Sequence, residues 1–142
     1  MAKHQGKPFP AFEVTDYAGH VFNSQQLKGK VLVVNFWFAG CQTCELEIPE
    51  LNTLYARYAH DSDVVFLSLV RSRWEVVDPF LVTQPFNYPI VTLDKALLTQ
   101  LQSAAYPTNL VIDKTGRYAY ESVGAGVGSI LLLETALTQA LR

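Results

Sequence analysis

The stretch Val31-Leu32-Val33-Val34-Asn35-Phe36-Trp37-Phe38-Ala39-Gly40-Cys41-Gln42-Thr43-Cys44 decides the fold. From Val31 to Phe38 it is aliphatic or aromatic, with one polar interruption at Asn35. A run without polar alternation is the pattern of a strand covered on both faces. The period then changes. Cys44, Ile48, Leu51, Leu54, Tyr55 and Tyr58 recur at steps of three and four, which predicts a helix from Cys41 to about Ala59 with one apolar stripe. Pro49 lies inside that stripe. It lacks an N–H and its ring crowds the carbonyl of Glu45, so a kink is expected there rather than an end.

Working outward, Val64–Val70 is a second continuous apolar strand. Asp78-Pro79 has the form of a helix start, with Asp as N-cap and Pro at the first helical position, predicting a short helix over Phe80–Thr83. Ile90–Leu93 reads as a short strand or an extended segment, and Asp94–Leu101 as a helix capped by Asp94. Upstream, Phe12–Val14 and Val21–Phe22 flank the turn-like Asp16-Tyr17-Ala18-Gly19, suggesting an N-terminal hairpin. Downstream, Thr108–Ile112, Asp113-Lys114-Thr115-Gly116 and Arg117–Val123 make a second hairpin. Gly124–Gly128 is then a loop, and Ser129 caps a final helix to Leu141. Strands joined by helices imply parallel pairing, and the late hairpin adds antiparallel edges. The expectation is a mixed α/β sandwich.

The 142 residues suit one domain, 1–142, with no repeat or Gly/Ser linker to divide it. With 49% hydrophobic and 17% charged residues, the chain can hold a core without staples or metal. A net charge of −2 gives no field for nucleic acid. No run reaches the 18 or more apolar residues of a membrane span, so membrane insertion by this chain is not expected. Met1–Lys7 has no apolar segment of an export signal.

Both cysteines sit in Cys41-Gln42-Thr43-Cys44. A c-type haem site needs His after the second Cys, where Glu45 stands, and a structural zinc site needs four ligands, which three scattered histidines do not supply. Two buried, inert thiols remain one reading. The other is a redox dithiol. Cys41 at the start of the helix faces unpaired N–H groups that favour its thiolate, making it the attacking sulfur. Cys44, one turn later on the same face, is then the resolving one. Glu47, three residues on, projects beside the pair: partly buried, it could exchange a proton with Cys44, and exposed, it would only complement the helix N-terminus. Tyr106-Pro107-Thr108 directly precedes a strand. Taken by itself Pro107 would be trans, since only about 5–6% of such bonds in folded chains are cis.

Together these residues resemble the thioredoxin-fold proteins of the TlpA/ResA type. The likeness runs through Gly6-Lys7-Pro8-Phe9-Pro10-Ala11-Phe12, Leu27–Trp37, Cys41-x-x-Cys44-x-x-Glu47-x-Pro49, Pro107-Thr108 and Ile112–Gly116. It implies a thioredoxin-like three-layer sandwich: a mixed central sheet, flanking helices and the N-terminal hairpin. It implies thiol–disulfide exchange between Cys41–Cys44 and protein partners, with Glu47 as proton carrier, no bound cofactor or metal, and an upstream electron donor. By that likeness Pro107 is a cis-proline beside the dithiol, and Tyr106, Pro107 and Thr108 hold substrate. It also points to the periplasm or cell envelope, the cytoplasm staying open, and the chain is expected to be a monomer.

Two positions depart from the pattern. Gly40 replaces the usual Trp, which should expose Cys41, and Thr43 replaces a frequent Pro; the Gln42-Thr43 pair should shift thiol pKa and potential. Two other functions would ask for different residues. A thiol peroxidase would have Thr and Pro where Phe38 and Val34 stand. A Cu(I)-binding module would spread its cysteines by three residues and add a His. A half-buried Trp74 could pack the core or line a partner groove.

Overall fold

A computed structural model describes residues 3–102 and 105–142. The element order is β1 (Glu13–Thr15), β2 (Val21–Asn23), β3 (Val31–Trp37), α1 (Gln42–Tyr58), β4 (Val64–Val70), α2 (Trp74–Thr83), β5 (Ile90–Thr92), α3 (Lys95–Gln100), β6 (Thr108–Ile112), β7 (Tyr118–Val123) and α4 (Ser129–Leu141). β1 and β2 form the expected hairpin as a separate two-stranded sheet. The main sheet has the order β5-β4-β3-β6-β7. β3, β4 and β5 are parallel, whereas β6 and β7 run antiparallel. The late hairpin is therefore not all edge: β6 lies inside the sheet against β3, and only β7 is terminal.

All of β3 is buried, as its unbroken apolar run requires. Its residues alternate between two cores. Val31, Val33 and Trp37 meet α1, α2 and α4 on one face. Leu32, Val34 and Phe36 meet the hairpin and α3 on the other, through Phe12, Val14, Leu97 and Leu101. These are the three layers of a thioredoxin-like sandwich, the helices closing both faces of a sheet too apolar to meet water.

α1 does not end at Pro49 but continues to Tyr58. The proline cannot donate to the carbonyl of Glu45 four residues back. The side-chain amide of Gln84, at the end of α2, donates to that carbonyl at 2.9 Å instead. The hydrogen bond that proline removes from α1 thus becomes a tie between two helices.

Two helix starts differ from the sequence reading. α2 begins at Trp74, not after Asp78, with its N-cap at Arg73, whose carbonyl accepts from Val76 at 2.9 Å and Val77 at 3.1 Å. Val77 is completely buried, and its burial with Trp74 stabilises a turn upstream of Asp78-Pro79. Pro79 then forfeits one bond, to the carbonyl of the exposed Glu75. Likewise Ser129 is the first residue of α4, and the N-cap is Gly128 at φ +78°, a left-handed geometry that glycine adopts freely. Asp94 caps α3 as expected, accepting from Leu97 N–H at 2.8 Å.

Candidate active site

The site lies where β3 turns into α1. Cys41 is the N-cap of α1, in extended conformation, and Cys44 is one turn inside the helix. The two are joined as a disulfide with Cα atoms 5.3 Å apart. Cys41 Sγ also accepts the N–H of Cys44 at 3.3 Å and lies 3.6 Å from the Thr43 hydroxyl. A capping sulfur that receives a helix N–H is favoured as an anion once reduced. Glu45 steadies the entry to the helix by accepting from Gly40 N–H at 2.7 Å.

Gly40 does not open the site as expected: Cys41 is only 7% exposed. Phe38, Ala39 and Tyr106 pack on the same cluster, and the Phe38 and Tyr106 rings meet edge to face at 5.5 Å. Cys41 Sγ itself is turned inward, towards Cys44. Glycine at position 40 answers a backbone need, because φ there is +94°, and a Cβ would meet nothing within 4 Å. Conformation, not space, excludes a large residue there.

Glu47 is buried, only 4% exposed, in the same stripe as Cys44 and Ile48. Its Oε1 accepts from Asn109 Nδ2 at 2.9 Å and from Asn35 Nδ2 at 3.3 Å. Oε2 is buried with no hydrogen-bond partner among the described residues. Burial pushes the Glu47 carboxyl above its ordinary range, more than the Asn109 and Asn35 amides pull it down, with the Glu50 charge adding to the rise. Of the two readings open at the sequence level, the buried carboxyl is the one found. Its charge in turn adds to the burial that raises the Tyr88 phenol.

The Tyr106–Pro107 peptide is cis. Its loop is held by Gly124 N–H, which donates to the Pro107 carbonyl at 2.8 Å. The Thr108 hydroxyl donates to the Ala105 carbonyl at 2.8 Å, closing the loop on itself. Tyr106 is at the rim against Phe38, while Thr108 is buried at the start of β6. Trp74 stacks on Tyr17 at 4.7 Å and packs on the core, which is the first of its two readings.

Asn109 escaped the sequence reading. The signal was a polar residue inside the apolar run Thr108–Ile112, matching Asn35 in β3. The β4–α2 connection escaped it too. Arg71 N–H donates to the Trp37 carbonyl at 2.7 Å, and Ser72 Oγ accepts from Ala39 N–H at 3.1 Å, so this loop braces the turn carrying the cysteines.

The sandwich, the helix-capping Cys-x-x-Cys and the cis-proline loop define a thioredoxin-fold protein. A DsbE-type thiol:disulfide interchange protein from Chlorobium tepidum has the same fold, with TM-score 0.85 and 21% identity over 97% of this chain and 98% of that one. A thioredoxin family thiol:disulfide interchange protein from Chlorobium tepidum TLS is 26% identical, with TM-score 0.81 over 99% of this chain and all of that one. The thiol-disulfide oxidoreductase ResA of Bacillus cereus is 33% identical over 122 residues, which is 84% of this chain and 69% of the relative. The chain belongs to the Redoxin family, which matches residues 4–136.

Proposed function

We propose that this protein is a thiol–disulfide oxidoreductase that exchanges the Cys41–Cys44 dithiol and disulfide with protein partners, working as one thioredoxin-like unit. The observation that carries the reading is the Cys41–Cys44 bond at the N-cap of α1, with the buried, half-satisfied carboxyl of Glu47 three residues on. The thiol–disulfide oxidoreductases among its relatives support the same activity.

In the reduced state the Cys41 thiolate attacks one sulfur of a partner disulfide. That S–S bond breaks, a mixed disulfide forms, and the partner's other sulfur leaves as a thiolate that takes a proton from water. The Cys44 thiol gives its proton to Glu47 Oε2, and its thiolate attacks Cys41 Sγ. The mixed disulfide breaks, the second partner sulfur leaves as a thiolate, and Cys41–Cys44 is restored. Two electrons have passed to the partner. Glu47 suits this exchange because burial brings its carboxyl nearer to neutrality and leaves Oε2 unengaged. Tyr106 and the Pro107 segment would hold the partner chain, a role that the hydrogen bond from the Thr108 hydroxyl to the Ala105 carbonyl supports by fixing their loop. An upstream dithiol donor would return the chain to its reduced form. Among the described residues no helix is long and apolar enough to cross a membrane. The envelope is the compartment this reading favours, from the likeness to ResA.

The test is second-order reduction of a disulfide-bonded protein by the dithiol form, with recovery of the Cys41–Cys44 bond followed by mass. Reduction that survives Cys41→Ser overturns the assignment. So does a reduced protein that consumes peroxide but leaves protein disulfides intact.

A further inference from the structure

The β4–α2 connection carries a cation at the rim of the dithiol. The Arg71 backbone is fixed to the end of β3 through Trp37, and the neighbouring Ser72 holds Ala39. The Arg71 guanidinium carbon lies 5.8 Å from the centre of the Tyr106 ring, and that ring packs on Phe38. Phe38 in turn accepts the N–H of Cys41 at 3.2 Å through its carbonyl. An unbroken series of contacts therefore links the guanidinium to the attacking cysteine by way of the cis-proline loop.

The charges around it are already engaged. Arg73 faces Glu75 at 3.7 Å, and Glu45 is turned to the Gly40 N–H on the helix side of the dithiol. Arg71 is exposed and, among the described residues, has no carboxylate within ion-pair distance. Lying over a ring, a guanidinium keeps edge N–H groups for a planar bidentate acceptor, which a carboxylate provides.

We infer that Arg71 is a specificity-determining residue that selects partner segments bearing a carboxylate beside the disulfide to be exchanged. This rests on the oxidoreductase reading and names its substrate class: acidic cysteine-containing segments laid along the Tyr106–Pro107 loop. Arg71 acts on encounter and binding and takes no part in the bond exchange. Its effect is on kcat/KM, and salt weakens it.

The experiment uses the whole chain in its dithiol form, freed of reductant, and a set of short peptides. Each peptide carries one internal disulfide flanked on either side by Glu, Gln or Lys. The second-order rate constant of each exchange is read from loss of the Cys41–Cys44 thiols. At low ionic strength the Glu peptides should react about two- to fivefold faster than the Lys peptides, the size expected for one exposed charge pair. The ratio should shrink towards one in high salt. It should fall to about one in Arg71→Gln, persist in Arg71→Lys, and invert in Arg71→Glu. A ratio near one in the unsubstituted protein, or one unmoved in Arg71→Glu, overturns the inference while leaving the oxidoreductase reading intact. A protein that exchanges with no peptide and no protein disulfide removes that reading, and the inference with it.

Discussion

Asn35 and Asn109 stand directly opposite each other in the antiparallel pairing of β3 and β6, and both side-chain amides donate to the same oxygen of Glu47. Asn35 Nδ2 also donates to Asn109 Oδ1 at 2.8 Å, which fixes both amides in one orientation. The carboxyl is therefore lopsided. Oε1 is held by two donors, and Oε2 has none among the described residues. A group held this way keeps its position through a protonation cycle and changes charge at one defined atom.

The first prediction concerns that clamp. Removing the amide in Asn109→Leu takes away the stronger of the two hydrogen bonds holding the Glu47 carboxyl down, so its pKa should rise further. The stability loss should be about 1–3 kcal/mol while Glu47 is ionised, the usual consequence of depriving a buried acceptor of its partner. It should lessen in acid, where the carboxyl is neutral. Carboxyl carbon chemical shifts across a pH series, with urea unfolding at each end, measure both. A Glu47 titration that does not move rules the clamp out as a tuning device.

A second prediction follows from the sign of the Glu47 shift. The folded protein binds this proton more tightly than the unfolded chain, so ionisation lowers stability as pH rises from the ordinary value of 4.5 through the raised folded value. Glu47→Gln should remove that decline, making the oxidised variant more stable than the parent above this window and no more stable below it. The same variant should slow mixed-disulfide resolution and flatten its dependence on pH. Thermal unfolding of the oxidised form and stopped-flow resolution rates at matched pH supply the two readouts.

Separate cysteine replacements should divide the exchange into its steps. Cys44→Ser should accumulate a mixed disulfide between Cys41 and the partner, seen as an adduct mass without reductant and lost with it. Cys41→Ser should give no adduct and no turnover. An adduct on Cys44 in that variant would reverse the assigned order of attack.

The tie between Pro49 and Gln84 predicts a thermodynamic coupling. Gln84→Ala should destabilise the fold by about 1 kcal/mol, since the Glu45 carbonyl loses its donor. In a Pro49→Ala background α1 can supply its own N–H to that carbonyl, so the same substitution should matter less. Urea unfolding of the four proteins closes the cycle. Strict additivity would mean that water satisfies the carbonyl equally well.

Much of the architecture was legible because burial on both faces leaves a local signature. The apolar runs of β3 and β4 and the stripe of α1 were readable to within a residue or so. The Cys-x-x-Cys at a strand-to-helix junction was readable as chemistry for a similar reason, since helix geometry alone puts both sulfurs at one end of α1. The starts of α2 and α4 misled. Asp78-Pro79 and Ser129 carry good local capping chemistry, but the burial of Val77 and the left-handed Gly128 outweighed it.

The chain by itself determined the strands, the helix that the cysteines open and the spacing that sets Glu47 beside them, because each depends on contacts a few residues long. Only the tertiary structure decided that β6 lies against β3 and so brings Asn109, 74 residues from Asn35, onto the same carboxyl oxygen. The depth at which Cys41 sits and the placing of Arg71 against Tyr106 were decided in the same way. Long-range pairing leaves little local pattern in sequence, because any polar residue in a strand looks alike until its neighbour across the sheet is known.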